Sequence, residues 1–558
     1  MALQFIFGNP GSGKSHYLYE HIIRESMKHP DINYIILVPE QFTMQTQKEL
    51  VLRHPRHGIM NIDVLSFARL AFRVLEETGN GSREILDDEG KNLILRRLAG
   101  KKEDSLKVLK GNIKKPGYIS EVKSVISELT QYNISPDGMD DMITEADESS
   151  YLAWKLKDIQ VMYQAFEEYL ADKYITKEEI LDILCNVMDK SRMLKDSVIA
   201  LDGFTGFTPL QNKVLGEMLH HCQKVMITVT MDKREDPYVM KDKYQLFALS
   251  KQMVTSLVKI AGEEKVLVEE PVCLYQEPVW RFRNAPALAF LEKELFRYSG
   301  RTYREKQSNV RVYAAANPRM EVECAAQRIR FLIRKKEYRY REIAVITGDL
   351  ETYSREILRQ FEKNQIPCFI DYKKNIFSNP MVELIRAALE VLQSGFSYES
   401  VFRFLKTGLV MPLAGLSPEV IYQAENYVIA LGIRGFKRWN STWERVYRGA
   451  ELINLDELNQ FREAVVTPFL PLREVFSNRK ATVRERTEAL VHFLEALEME
   501  QKLAAMAQQF EEMGDMSLAK EYGQVYGLVM DLFDRIVALL GEEVMGQREY
   551  AEILDAGF

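Results

Sequence analysis

The segment Gly8-Asn9-Pro10-Gly11-Ser12-Gly13-Lys14-Ser15 fits G-x-x-x-x-G-K-[ST] in full, and both flanks have the periodicity that the pattern requires. Leu3-Gln4-Phe5-Ile6-Phe7 reads as a short buried strand. His16 to Met27 reads as a helix, with Tyr17, Leu18, His21, Ile22 and Ile23 near one face. Strand, glycine loop and helix in that order turn a pattern match into a site. The glycines let the backbone curl so that successive N–H groups point inward at phosphate oxygens, and the helix start adds partial positive charge. Lys14 is placed to reach the β- and γ-phosphates, and the Ser15 hydroxyl to ligate Mg²⁺. The chemistry this predicts is ATP binding with Mg²⁺. The competing reading is a glycine-rich turn that matches by chance.

A chain of 558 residues is too long for one core, and about three or four folding units are expected. A formal net charge of −7 argues against an all-over basic nucleic-acid binder but leaves room for a local basic groove. The start of the chain lacks the pattern of a secretory leader, and no apolar run approaches a membrane span. Cys185, Cys222, Cys273, Cys324 and Cys368 are scattered, with no C-x-x-C pair. Reduced thiols, a cytoplasmic location and no metal cluster within this stretch are the expectation.

The order of elements predicts an α/β fold. Tyr34–Val38 reads as a second parallel strand ended by Pro39, and Ile62–Leu65 as a third. From about 84 to 190 helical periodicity takes over. Strand signals return at 197–201 and at Val225–Thr230, around a helix from Pro209 to Leu219. A parallel-sheet nucleotide domain interrupted by a helical insertion follows from this pattern. A charged linker near 301–309 precedes a second α/β unit. Its expected strands are Val310–Ala315, Ile343–Thr347 and Pro367–Ile370, and its expected helices Arg319–Lys335 and Glu351–Lys363. From about 379 onward the pattern is almost all helical.

A Mg²⁺-nucleotide site needs an acid at the end of a neighbouring strand. Asp202 holds that position, with a loop-capping role as its alternative. Asp87 and Asp88 are rivals better suited to capping the helix that begins near Gly90. Hydrolysing relatives of such loops usually carry a glutamate after the acid, to orient the attacking water, whereas Gly203 follows Asp202 here. In the second unit Gly348-Asp349 stands where an arginine would reach the γ-phosphate. Weak or absent turnover is the expectation. Three loops mix aromatic, amide and basic residues as a single-strand channel does: Pro39–Thr43, Ser66–Arg73 and Gly203–Thr208. Phe67 and Phe72 could equally pack under the sheet. The basic run from Arg328 to Arg341 reads as a solvated face or a phosphate-tracking patch.

These motifs, in this order, resemble the AddB subunit of bacterial AddAB helicase–nucleases. The matching strings are Phe7–Lys14, Val38-Pro39-Glu40-Gln41-Phe42-Thr43, Val64–Leu70, the Asp202–Gln211 run beginning Asp-Gly-Phe-Thr-Gly-Phe-Thr, and Ile366–Asp371. The resemblance implies superfamily 1 helicase-like, RecA-type P-loop lobes with large helical insertions. It divides the chain into the first part of lobe 1 (1–83), a helical insertion (84–194), the second part of lobe 1 (195–305), the start of lobe 2 (306–392) and its helical insertion (393–558). It implies an AddA partner carrying the main motor, and resection of double-stranded DNA ends for homologous recombination. It also implies scanning of single-stranded DNA for the hotspot sequence Chi by Gln41, Thr43, Phe67, Arg69, Phe72 and one of Phe204 or Phe207. In the family AddB is an inactivated helicase fold, which fits the two omissions above. Family members are longer and end in a nuclease domain with a 4Fe-4S cluster. Neither is expected in these residues, and whether this chain is itself an enzyme stays open. The alternatives are an active superfamily 1 helicase with its own ATPase, and a P-loop small-molecule kinase.

Overall fold

The computed structural model describes residues 1–79, 84–113, 116–147, 150–170, 174–370, 376–411, 416, 418–447 and 454–558. Two compact units emerge, one formed by Met1–Tyr275 with Ile376–Phe558 and the other by Gln276–Asn375.

The first unit is built on a parallel sheet. Its strands are β1 (Ala2–Gly8), β2 (Tyr34–Leu37) and β3 (Ile62–Leu65), then, beyond the short pair β4 (Glu84–Leu86) and β5 (Tyr174–Thr176), β6 (Val198–Leu201), β7 (Lys224–Thr230), β8 (Leu267–Val268) and β9 (Val272–Cys273). The order across the sheet is β3-β2-β6-β7-β1-β8, with β9 also paired to β1. Both faces are covered, so the central strands are continuous apolar runs whose residues alternate between two cores. Phe5, Phe7, Ile35, Leu37, Ile199 and Leu201 face one core. Ile6, Tyr34, Ile36, Ala200 and Met226 face the other, under the Lys14–Lys28 helix.

The β4–β5 pair has no strand signature in the sequence. It joins the two ends of the inserted helical segment in a separate parallel ladder. That segment does not have a core of its own. Leu93, Leu98, Ile119, Met162 and Phe166 share one apolar cluster with Leu384, Phe404, Trp439, Phe469, Phe493 and Ile553. Arg96 of the Asp88–Lys102 helix also bonds Glu552 of the Gln547–Gly557 helix at 2.9 Å. Residues more than 350 positions apart thus form one helical body.

In the second unit the helices form as expected, at Pro318–Lys336 and Leu350–Lys363. The three expected strands do not. Residues 310–315, 343–347 and 367–370 make no ladder among the described residues. A strand exists only where a neighbour accepts its hydrogen bonds. Val312, Ile346 and Phe369 are accordingly almost fully exposed. Asp371, the end of one matching string, lies outside the described residues. Among the described residues no helix is long and apolar enough to cross a membrane.

Candidate nucleotide-binding site

The glycine loop leaves β1 at its carboxyl end and enters the Lys14–Lys28 helix. Gly11 and Gly13 hold φ of 82° and 97°, the left-handed region that strains any L side chain. A Cβ on Gly8 would collide with Ser12 Oγ, so the loop curls back over its own strand. The first helical turn carries no acidic residue to repel an anion. Lys14 Nζ donates to the carbonyl oxygens of Gly8 and Asn9, each at 3.0 Å, which keeps the ammonium over the loop. Ser12 Oγ is buried with no protein hydrogen-bond partner. A buried hydroxyl without a partner inside an N–H-lined loop is the donor set an incoming phosphate oxygen satisfies.

Asp202 follows β6, is 7% exposed, and lies across the sheet end from this loop. Ser15 Oγ donates to its Oδ1 at 3.1 Å, Thr228 Oγ1 to the same oxygen at 2.6 Å, and Tyr19 OH to Oδ2 at 2.8 Å. Burial, followed by the Asp202 charge, pushes the Tyr19 phenol above its ordinary value, so the hydroxyl keeps its proton and donates. The hydroxyl–carboxylate pair of Ser15 and Asp202 is a hard-oxygen set that fits Mg²⁺. Asp87, the rival acid, caps the Asp88–Lys102 helix by accepting the Gly90 N–H at 2.8 Å.

Sequence reasoning misses two groups here. Tyr19 is not among the residues named for the apolar face, yet it shares the spacing of Ile22 and Ile23 and is 3% exposed. Asp232, two residues beyond β7, is 3% exposed, and Arg234 forks onto it at 2.7–3.2 Å. Its neighbour Met231 donates its N–H to Gly8 O, so this acid–arginine pair begins one residue from the glycine loop. A pair split between two positions of an irregular loop leaves no spacing signature.

The three aromatic loops follow β2, β3 and β6, which are neighbours in the sheet. They therefore open on the same carboxyl rim as the glycine loop, where open α/β sheets hold ligands. Gln41, Arg69 and Phe72 are exposed. Thr43 and Phe67 are not. Thr43 is 4% exposed with its hydroxyl on Glu40 O, and Phe67 is 6% exposed in the core. Phe67 instead carries the half-buried Phe204 and Phe207 edge-on, with centroids at 5.6 and 6.2 Å. The helix periodicity explains this, because Phe67, Leu70, Ala71 and Val74 share the inward face of Phe67–Glu77. The basic run ends the Pro318–Lys336 helix, with Arg334, Lys335, Lys336, Arg339 and Arg341 exposed.

The sequence is similar to known proteins. The family described as "ADDB, N-terminal" matches residues 5–292. A protein of Lachnoclostridium phytofermentans, named as the B subunit of an ATP-dependent helicase/deoxyribonuclease, is 44% identical over 564 residues, covering all of this chain and 49% of that protein. Proteins of the same name from Acetivibrio thermocellus and Clostridium kluyveri are 34% and 35% identical, again over the whole chain and 49% of their own lengths. The chain spans about half the length of the curated relatives it matches.

Proposed function

We propose a function from one premise: the chain belongs to the AddB family, whose relatives are named for ATP-dependent helicase/deoxyribonucleases. In this reading it is the ATP-binding, DNA-scanning part of a protein that works beside an AddA-type motor on double-stranded DNA ends, and its site has little or no turnover of its own. Residues 1–83 and 195–305 act as a RecA-like lobe, 306–392 as the start of a second, and 84–194 and 393–558 as helical insertions. The observation that carries the nucleotide part is the Ser15–Asp202 hydrogen bond, which joins loop and acid across 187 positions.

Each group has a task in binding. The loop N–H groups and Lys14 hold phosphate oxygens, and Ser12 Oγ gains its missing partner. Ser15 and Asp202 hold Mg²⁺, which supplies charge neutralisation to the phosphates. What argues against hydrolysis is the backbone after Asp202. Gly203 has φ 81°, a conformation that costs an L residue roughly 1–2 kcal/mol, so a water-orienting glutamate there would be strained. The exposed Gln41, Arg69 and Phe72, with Phe204 and Phe207 on their aromatic floor, provide stacking faces and donors for an unpaired strand.

The Asp232–Arg234 pair, with its acid buried, favours a second reading, an active motor. Single-turnover ATP hydrolysis with single-stranded DNA separates the two. Absent turnover is the expected result, and turnover that disappears in Lys14→Ala and in Arg234→Ala would establish the motor. For the strand channel, Arg69→Ala and Phe204→Ala are expected to weaken single-strand binding by ~1–3 kcal/mol each while sparing ATP affinity. Fluorescence anisotropy with a labelled oligonucleotide reads this directly, and unchanged binding in both variants would remove these loops from the channel.

A further inference from the structure

The Asp202 carboxylate receives more donors than the loop motif supplies. Ser15 belongs to the motif, but Tyr19 and Thr228 do not. Tyr19 stands one helical turn beyond Ser15, on the same face of the Lys14–Lys28 helix. Thr228 comes from β7, the strand between those of Asp202 and the loop. Both are nearly fully buried, at 3% and 4% exposure.

The geometry matters because an aspartate's terminal torsion is broad and two-fold. A carboxylate held only through Ser15 would swing about that bond. Here Oδ1 takes two hydroxyls and Oδ2 takes the phenol, so the carboxylate plane is fixed from both ends. Three of its roughly four lone-pair positions are filled, which leaves one for a metal-bound water.

We propose that Tyr19 and Thr228 are positioning residues of the nucleotide site, which fix Asp202 in the orientation that receives the divalent cation accompanying ATP. The proposal rests on the reading of the glycine loop as a nucleotide site. Preorganisation of this kind acts on the cation and not on the phosphates, which the loop binds without Asp202.

The test uses Tyr19→Phe and Thr228→Val in the full 558-residue chain. Both substitutions preserve volume and remove one hydroxyl. Affinity for a fluorescent ATP analogue is measured in excess EDTA and in saturating Mg²⁺, and the ratio is the Mg²⁺ gain. The expected result is EDTA affinity within about twofold of the parent, and a Mg²⁺ gain reduced roughly five- to tenfold in each variant. A purely structural role would lower affinity equally in both conditions, and that result overturns the proposal. A parental Mg²⁺ gain in any variant that keeps the parental melting temperature also overturns it, while leaving the nucleotide site standing. A parent chain that binds no ATP in either condition overturns both.

Discussion

Replacing Lys14 by alanine is expected to weaken ATP binding at least roughly 30-fold, about 2 kcal/mol, without unfolding the chain. The ammonium hydrogen-bonds within the loop itself, to Gly8 O and Asn9 O. Neither of these bonds ties the loop to the sheet core, and the substitution is expected to leave the fold intact. What it removes is the ammonium held over the loop at the helix start, where charge-assisted contacts to phosphate are strongest. Isothermal titration calorimetry with ATP and a parallel thermal melt check both halves of this statement. Equal affinity in parent and variant would mean that nucleotide binds elsewhere or not at all.

A second large effect is expected far from the rim. Asp158, in the Tyr151–Leu170 helix, is 3% exposed. Its Oδ1 accepts the N–H of Lys107 at 2.8 Å, and its Oδ2 those of Val108 and Leu109 at 2.7 and 2.8 Å. One carboxylate thus pins the turn that delivers Leu106, Leu109 and Ile113 to the helical core. Asp158→Ala strands three backbone donors, and a loss of about 3–5 kcal/mol is expected. Asp158→Asn keeps an acceptor and should recover part of it. Urea unfolding followed by circular dichroism reads the difference. An unmoved midpoint in the alanine variant would show that apolar contacts alone hold the turn.

The central strands are legible in the sequence because doubly covered parallel strands are short apolar runs bounded by turn residues, as Tyr34–Val38 before Pro39 illustrates. Lys14, Ser15 and Asp202 are legible because a contiguous motif and an acid at a strand end are local signals. Tyr19 and Thr228 are not, because they act through contacts 183 and 26 positions away and sit among apolar neighbours. Phe67 shows the opposite failure. Its inward face is written in the helical spacing of Leu70, Ala71 and Val74, but the adjacent arginines suggest the surface. Val310–Ala315 and Ile343–Thr347 have strand composition without strand pairing, since composition says nothing of whether a partner lies alongside.

The strand order has a consequence for biosynthesis. β1 and β2 are made first, yet they never touch; β6 and β7 lie between them. Roughly 190 residues must leave the ribosome after Gly8 before β6 appears, which takes about 10–40 s at ordinary elongation rates. Throughout that interval β1 has no strand beside it and β2 has only β3, and the inserted helices wait longer still for Met381 and its companions. The nascent chain should therefore engage holdase chaperones early, and a ribosome stalled before residue 230 should display a protease-sensitive glycine loop.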